Sequence, residues 1–423
     1  MLQNRTGVHN SVFSVNFVSF AIRYKRLILF GFGLTFFSSF GQTFLISVFV
    51  PGFLESFGVS YAYFGSLYSA ATLGSAFILA WAGALIDRVS LKKYAIAVTA
   101  GYAAALLTVS FSLWIWMLFL GLLGIRLFGQ GLCGHTAHTT IARYFSTMRG
   151  KALSLSNLGF SLGEAVLPLT ITALIALVGW RISWASIGLL TAIVLPVLII
   201  STLGRDPLEH AEDEVRSKSG GSAPEPGGHW KRRLVLKDSR FYLLLPAALA
   251  SPFLLTGFFL YQTQLAVNKG WEVEIMASSF IAFALSKSGS SLLSGSLIDR
   301  FTACRLYPFF LIPLLAGFSV LIAFTHPATV FVYMFLAGIT MGAAFNITTS
   351  LYAELYGTAN LGAIRSMMTM FMVISTAASP VLFGLVLDSG HSFEIIIKGA
   401  LVFVAISTIL AIFIYRHAGI KIS

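Results

Sequence analysis

Charged residues are scarce in this chain. Asp, Glu, Lys and Arg make up 10% of the 423 residues, whereas 57% are hydrophobic. A soluble protein of this length needs far more charge to cover its surface. The composition therefore excludes an ordinary soluble domain and predicts that lipid surrounds most of the chain.

Sequence signals for metal, disulfide and nucleotide chemistry are also missing. The two cysteines, Cys133 in an apolar segment and Cys304 in a basic loop, give neither a disulfide framework nor a metal-ligand spacing. The eight histidines form no HExxH pattern, and the chain has no GxxxxGK[ST] loop for ATP. No nucleophile–base pair is evident. We therefore expect no enzyme activity, no metal and no cofactor.

Apolar runs long enough to cross a bilayer recur along the whole chain. The first follows Arg23, Lys25 and Arg26, and its length indicates a retained helix instead of a cleaved signal peptide. The pattern predicts an all-α integral membrane protein with twelve transmembrane helices. The predicted spans are 27–50, 61–85, 94–113, 115–141, 151–178, 182–203, 241–266, 275–297, 306–324, 329–353, 364–387 and 394–416.

One joint between spans differs from the others. Residues 204–240 are charged and rich in Gly, Ser and Pro, so they cannot bury enough apolar surface to order themselves. We predict a cytoplasmic linker there. It divides the chain into an N-terminal six-helix bundle, 1–203, and a C-terminal six-helix bundle, 241–423.

Lys and Arg are distributed unevenly over the joints. If the N-terminus is cytoplasmic, 23 of the 28 Lys and Arg lie on the cytoplasmic side. Arg181, Lys269 and Lys398 lie outside, and Arg126 and Lys287 lie within spans. The positive-inside rule therefore predicts that both termini are cytoplasmic. The net charge of +12 then reflects topology and attraction to anionic membrane lipid, and it requires no nucleic-acid partner.

The two halves share an internal repeat. GALIDR at 83–88 recurs as GSLIDR at 295–300, an offset of 212 residues. The same offset places Tyr144 on Tyr356, Gly150 on Gly362 and Pro168 on Pro380. Internal repeats are typical of secondary transporters, whose substrate site lies between the halves near the bilayer midplane.

These motifs resemble the major facilitator superfamily over nearly the whole chain. The hexapeptide at 83–88, followed by Lys92 and Lys93, resembles the best-known loop signature of that family, and 295–300 resembles its degenerate copy. Arg126 followed by Gln130 is similar to the family's Arg…Gln-Gly pattern, with the Gln one residue later than in the commonest form. The resemblance implies two pseudo-symmetric bundles that rock about a central cavity, lined largely by spans 1, 4, 7 and 10.

A second, local resemblance concerns the substrate. The stretch 143–168 is similar to loop 4–5 and helix 5 of monocarboxylate and oxalate/formate porters, which often carry a Tyr-Phe, an Arg-Gly pair and spaced glycines there. This resemblance implies transport of a small organic anion.

Three ionisable residues lie in the middle of predicted spans: Arg126, Glu164 and Lys287. Inserting a charged residue at the centre of a membrane helix costs about 2.5–3.5 kcal/mol on insertion scales, so these three residues are candidates for function. Lys287, in a serine-rich segment, offers a point charge to a substrate carboxylate, and Arg126 offers a bidentate clamp. Each cation could instead be a structural partner of Glu164, and the family resemblance also implies a coupling role for Arg126.

Proton coupling has three candidates, Glu164, His135 and His138. Glu164 follows Gly159 and Gly163, whose spacing lets helices approach closely. Its carboxyl group could bind and release a proton, or it could stay in an ion pair. The two histidines lie three residues apart and share a helix face, which allows packing, proton transfer or metal binding, although no third metal ligand is evident.

Two pairs of charged residues lie at predicted cytoplasmic helix ends, Asp87–Arg88 and Asp299–Arg300. We predict that they form a gate whose charge pairs and helix-dipole contacts hold in one state and break in the other. Topology alone would explain the arginines but not the paired aspartates.

Uncharged polar residues on spans 1, 7 and 10 complete the candidate site. Gln42, Tyr261 and Asn346 lie near mid-span and are predicted substrate contacts. Such side chains also form hydrogen bonds between helices, so each has a structural alternative.

The sequence thus predicts a secondary active transporter that moves a small, monocarboxylate-like anion by alternating access, with a proton as a candidate co-substrate. Symport and antiport both remain open. The alternative is a proton-driven efflux pump for lipophilic or cationic compounds, which an unpaired cation in the cavity would disfavour. We expect a monomer in a bacterial inner membrane.

Overall fold

The computed structural model describes residues 17–145, 148–203, 230, 232–357 and 360–417. Nearly all of these residues are helical, and the described part of the chain contains no strand. Most of the predicted linker, 204–229 and residue 231, lies outside the described residues, as do both chain ends.

The first half contains six spanning helices, which follow a short helix, Phe17–Arg23. A single helical stretch, Arg149–Thr202, supplies two of the six, because Gly179 has non-helical backbone angles (φ 77°, ψ 165°) that separate α5 from α6. The helices are α1 (Lys25–Gly41 and Thr43–Phe57), α2 (Tyr61–Asp87), α3 (Leu91–Ser110), α4 (Ile115–Tyr144), α5 (149–178) and α6 (180–202).

The second half repeats this arrangement with six more helices. Its helices are α7 (Ser239–Leu260, continued by Gln262–Lys269), α8 (Val273–Ser278 and Phe280–Phe301), α9 (Ala303–Leu306 and Ile312–Ala323), α10 (Thr329–Tyr356), α11 (Leu361–Asp388) and α12 (Phe393–His417).

Length and composition identify most of the predicted spans. Eight helices in the described part are long and apolar enough to cross a membrane, and the bent α1 is a ninth. One of the eight holds both α5 and α6. The serine-rich α8 and the short, apolar α9 complete the set of twelve. The prediction of an all-α membrane protein with twelve helices is confirmed.

Two helix pairs make the most extensive contacts between the halves. α2 packs along α11, and α5 packs along α8. At the first contact Gly384 lies so close to α2 that an added Cβ would be 2.7 Å from the Cα of Ala62. Glycine is required there because any side chain would push the two helices apart. The boundary of the bundles at 203 and 241 stays a prediction.

The two ends of the bundle are named here by their charge. The basic end holds Lys25, Arg88, Arg143 and Arg300, and the sequence predicts that it faces the cytoplasm. The far end holds the turns between α1 and α2 and between α11 and α12.

Candidate functional site

α1 is broken near the middle of its length. Gln42 has an extended backbone (φ −84°, ψ 152°), and the two parts of the helix are bent by 46°. Gly41, just before the break, lies so close to α4 that an added Cβ would be 2.6 Å from the backbone nitrogen of Gln130. Broken helices expose backbone carbonyl groups at mid-depth, which transporters use to bind ions and substrates.

α4 is also irregular opposite this break. Its segment Ile125–Cys133 is a π-helix, a wider form that occurs mostly in short pieces and frequently at functional sites. Arg126 is the second residue of this segment. The irregular parts of α1 and α4 therefore meet at the arginine.

Arg126 is a buried cation, 5% exposed, with few partners. One terminal nitrogen donates to the carbonyl oxygen of Gly41 at 3.3 Å and to the hydroxyl of Thr43 at 3.4 Å. The guanidinium carbon lies 5.1 Å from the ring centroid of Tyr68. Within the described residues its Nε has no hydrogen-bond partner, and no carboxylate forms a salt bridge with it. The site therefore has unused capacity to bind an anion.

Thr43 and Tyr68 are the other polar groups beside Arg126, and sequence reasoning missed both. Their hydroxyl oxygens are 2.8 Å apart, which links α1 to α2. No motif marks them, because Thr and Tyr are common in membrane helices. Gln42 is partly buried at the break itself, next to the Gly41 carbonyl that Arg126 contacts.

Lys287 and Glu164 form an ion pair between the two halves. The Lys287 Nζ lies 2.5 Å from one carboxylate oxygen of Glu164, and the side chains are 31% and 10% exposed. The second oxygen of Glu164 has no partner among the described residues. Ser161 and Ser288, whose hydroxyl oxygens are 2.8 Å apart, add a hydrogen bond along the same contact of α5 with α8. The pair is neutral, so Arg126 carries the uncompensated charge.

The ion pair and Arg126 lie at similar depth along α1. An added Cβ at Gly163, the neighbour of Glu164, would collide with the side chain of Ser39. Arg126 contacts Gly41, only two residues further along. Gly159 likewise meets the backbone of Phe32, so the close approach predicted for the two glycines of α5 is observed, with α1 as the partner.

A second pair of glycines, which sequence reasoning did not single out, positions Lys287. Gly338 and Gly342 of α10 face α8. An added Cβ would lie 3.1 Å from the backbone nitrogen of Lys287 at Gly338, and 3.0 Å from the backbone nitrogen of Ser291 at Gly342. Their spacing of four residues is the same signal that marked α5.

Two predicted substrate contacts lie elsewhere. The Tyr261 hydroxyl is within hydrogen-bond distance of the carbonyl oxygens of Tyr61 (2.9 Å) and Pro380 (2.8 Å), near the far end. The Asn346 amide donates to the Ser291 carbonyl at 3.0 Å on α8. Both side chains hold helices together in this conformation, and the structure does not bring them to Arg126.

His135 and His138 contact different neighbours. The His135 Nε2 lies 3.2 Å from the Gly83 carbonyl oxygen on α2, and the His138 Nε2 lies 2.7 Å from the Asn157 side-chain oxygen on α5. Within the described part of the chain, no three metal-ligating side chains cluster. These contacts favour hydrogen-bonded packing over shared binding of a ligand.

The predicted gate residues at the basic end are exposed. Asp87 forms an ion pair with Arg143 of its own half. Arg88, Asp299 and Arg300 form no ion pair within the described residues. The predicted charge contacts of the gate therefore do not join the halves in this conformation.

The far end is held closed by contacts that sequence reasoning missed. The Asp388 carboxylate, at the last residue of α11, accepts hydrogen bonds from the backbone nitrogens of Tyr61 (2.9 Å) and Ala62 (2.8 Å) at the start of α2. A carboxylate there also interacts favourably with the helix dipole. The Tyr61 hydroxyl donates to Gln264 at 2.6 Å, and Gln262 donates to the Ser47 hydroxyl at 2.6 Å.

Comparison with known proteins decides the family. The sequence model described as Major Facilitator Superfamily matches residues 31–286 and 262–419. The chain belongs to the major facilitator superfamily. It is accordingly a transporter, as the sequence predicted at this coarser level. A comparison with curated proteins finds no significant sequence match.

Solved structures of superfamily transporters have the same fold. A bacterial homologue of the human lysosomal transporter Spinster, inward-facing and occupied, matches with a TM-score of 0.68 and 15% identity, over 93% of this chain and 97% of that one. The nucleoside transporter NupG matches with a TM-score of 0.66 and 16% identity, over 95% of this chain and 99% of that one. At such identities the similarity shows the fold alone.

Proposed function

We propose that this superfamily transporter moves small, monocarboxylate-like organic anions and that Arg126 binds the anionic group. The observation that carries the proposal is the state of Arg126: buried, without a carboxylate partner, and with an Nε that bonds to nothing in the described part of the chain. A buried cation is costly unless it is paired, so a substrate anion at this position restores the missing interaction.

The surroundings of Arg126 favour a small anion. A guanidinium group binds a carboxylate through two parallel hydrogen bonds, and the free Nε is one of the donors that such binding needs. The hydroxyls of Thr43 and Tyr68 supply further polar contacts beside it. Gln42, at the break of α1, is the fourth residue that we include in the proposed site.

We propose that the Lys287–Glu164 pair couples transport to protons. Protonation of Glu164 would remove its negative charge and leave Lys287 uncompensated between the halves. The substrate monoanion bound at Arg126 offsets the charge of the added proton, so one proton and one monoanion enter together and the total charge does not change. We expect electroneutral symport, with His135 and His138 outside the coupling path because each is held in helix packing.

Uptake into proteoliposomes tests the anion proposal. Purified protein would be assayed with radiolabelled monocarboxylates under an inward proton gradient. Arg126→Ala removes charge-assisted hydrogen bonds, each worth about 1.5–3 kcal/mol, so substrate affinity should fall about tenfold or more. Arg305→Ala is the matched control, because Arg305 is exposed at the basic end. If Arg126→Ala and Lys287→Ala both transport at the control rate, the proposal fails.

An efflux pump for lipophilic or cationic compounds is the second candidate. One observation favours it: Lys287 is neutralised by Glu164, so this lysine would not repel a cation. The uncompensated Arg126 argues against it. Counterflow of a lipophilic cation in the same proteoliposomes, without counterflow of carboxylates, would place this candidate first.

A further inference from the structure

A groove on the surface of the first half lies far from the proposed substrate site. It has a volume of about 470 Å³ and opens between α1, α5 and α6 at the basic end. Lys25 at its mouth and Gly41 beside Arg126 are sixteen residues apart on α1, which corresponds to roughly 24 Å along the helix. The groove is therefore a separate feature of the molecule.

The walls of the groove are apolar. Leu29 and Phe32 of α1 face Leu158 of α5 across it. Leu29 and Leu158 are 52% and 50% exposed, and in a transmembrane protein such apolar surface contacts lipid chains. The floor ends at Thr202, the last residue of α6.

Two cations stand at the mouth of the groove. Lys25 and Arg26 line it and are exposed, and neither forms an ion pair within the described residues. They occupy the first turn of α1, directly after the short helix Phe17–Arg23. The positive-inside rule predicts that the basic end faces the cytoplasmic leaflet, whose anionic headgroups attract Lys and Arg.

We propose that this groove binds an anionic glycerophospholipid of the cytoplasmic leaflet. The headgroup phosphate contacts Lys25 and Arg26, and one acyl chain lies along Leu29, Phe32 and Leu158. The charge and the apolar wall together select this ligand. A zwitterionic lipid carries the phosphate, but its headgroup ammonium offsets that charge and is repelled by the two cations, and a free phosphate ion leaves the wall uncovered.

Binding of the lipid bridges three helices. α1 carries the cations and one wall, whereas α5 carries the opposite wall. The lipid therefore stabilises the packing of α1 on α5 and α6 at the basic end. We expect the purified full-length protein to retain anionic lipid more tightly than neutral lipid.

Fluorescence anisotropy of phosphatidylglycerol with a fluorescent acyl chain measures this binding to the full-length protein in neutral detergent. Each basic residue near a membrane surface strengthens binding of anionic lipid by about 1 kcal/mol, which is a factor of about five in Kd. The double variant Lys25→Gln/Arg26→Gln should therefore bind about twenty-five-fold more weakly. Lys92→Gln/Lys93→Gln is the matched control, because both lysines are exposed at the same end but outside the groove, and its Kd should equal that of the unmodified protein.

A second variant tests the apolar wall without changing the charge. Leu158→Trp should fill the groove and weaken binding of the labelled lipid, with an unchanged elution profile in size-exclusion chromatography as the test of folding. Unlabelled phosphatidylglycerol should compete, whereas phosphatidylcholine and inorganic phosphate should not. Equal affinity in the two double variants, equal competition by phosphatidylcholine, or full competition by inorganic phosphate would each overturn the proposal.

Discussion

Among single residues, the three mid-membrane charges were predictable because charge is rare in this chain. Arg126, Glu164 and Lys287 stand out from apolar sequence, and the energetic cost of burial marks them as candidates. Their pairing was not predictable, since Glu164 could have bonded to either cation. Thr43 and Tyr68 escaped prediction because neither residue type is unusual in a membrane helix.

The Lys287–Glu164 pair gives a prediction about stability. Lys287→Met leaves the Glu164 carboxylate buried without its partner, which typically costs 3–5 kcal/mol; we expect about 3 kcal/mol because Lys287 is partly exposed. The double variant Lys287→Met/Glu164→Gln should recover most of this loss. Equilibrium unfolding in mixed detergent micelles measures the free energy of unfolding of both variants. Equal loss in the single and double variants would show that the pair is not the source of the effect.

Glu164 also gives a prediction about coupling. Glu164→Gln imitates the protonated carboxyl group permanently, so anion exchange should persist while accumulation driven by a proton gradient is lost. Exchange and net uptake in the same proteoliposomes separate the two activities. Continued proton-driven accumulation by Glu164→Gln would remove Glu164 from the coupling mechanism.

Asp238, which precedes α7 and lies outside the spans, gives a prediction about pH. Burial opposes its ionisation, but hydrogen bonds from Arg240 outweigh that effect and hold the carboxyl pKa below its usual value. A depressed pKa stabilises the fold at pH values above the unfolded pKa of about 3.9, and this contribution is lost as the pH falls through the folded pKa.

Asp238→Ala removes both this contribution and a helix cap, at a cost of about 1 kcal/mol at pH 7. The difference from the unmodified protein should shrink below about pH 4. Thermal unfolding over a pH series provides the measurement. Glu272→Ala is the control, because Glu272 precedes a helix without capping it through its side chain. If the stability difference between Asp238→Ala and the unmodified protein did not change with pH, the lowered pKa of Asp238 would be contradicted.

At the scale of helices, apolar runs predicted the spans well, whereas irregularities inside them were not visible. The break of α1 follows Gly41, but many other glycines in this chain lie in regular helix. The π-helical segment of α4 depends on packing against α1 and leaves no local signal. Asp388 lies in a sequence typical of a turn, so its role as a cap on α2 required the tertiary contact.

The contact of α2 with α11 gives a prediction about conformation. Gly384→Val would press against the backbone of Tyr61 and Ala62, and overpacking of this kind costs about 1–3 kcal/mol. The strain should favour the state that is open at the far end. Ser69→Cys, at a buried position that bonds to α11, reports opening through its rate of maleimide labelling.

Labelling in Gly384→Val should be several-fold faster than in the otherwise unmodified Ser69→Cys protein. Gly399→Val is the matched control, since no heavy atom lies within 4 Å of an added Cβ there. Unchanged labelling would show that this contact does not limit opening of the far end.

For the whole molecule, the repeat and the distribution of basic residues predicted more than any single motif. The offset of 212 residues between 83–88 and 295–300 corresponds to a chain of two halves, and each half contains six helices. In this conformation the halves are joined at the far end by Asp388 and Tyr261, while the predicted gate residues at the basic end are exposed. We infer a conformation that is closed at the far end, while the predicted charge contacts at the basic end do not join the halves.

The most direct test of the central claim is thermal stability of the purified protein in the presence of candidate ligands. A ligand that binds only the folded protein stabilises it by about 2.7 kcal/mol at a hundredfold excess over its Kd. We predict that a monocarboxylate raises the Tm of the unmodified protein and of Arg305→Ala but not that of Arg126→Ala. A carboxylate shift of equal size in Arg126→Ala, or a shift with lipophilic cations alone, would contradict the account.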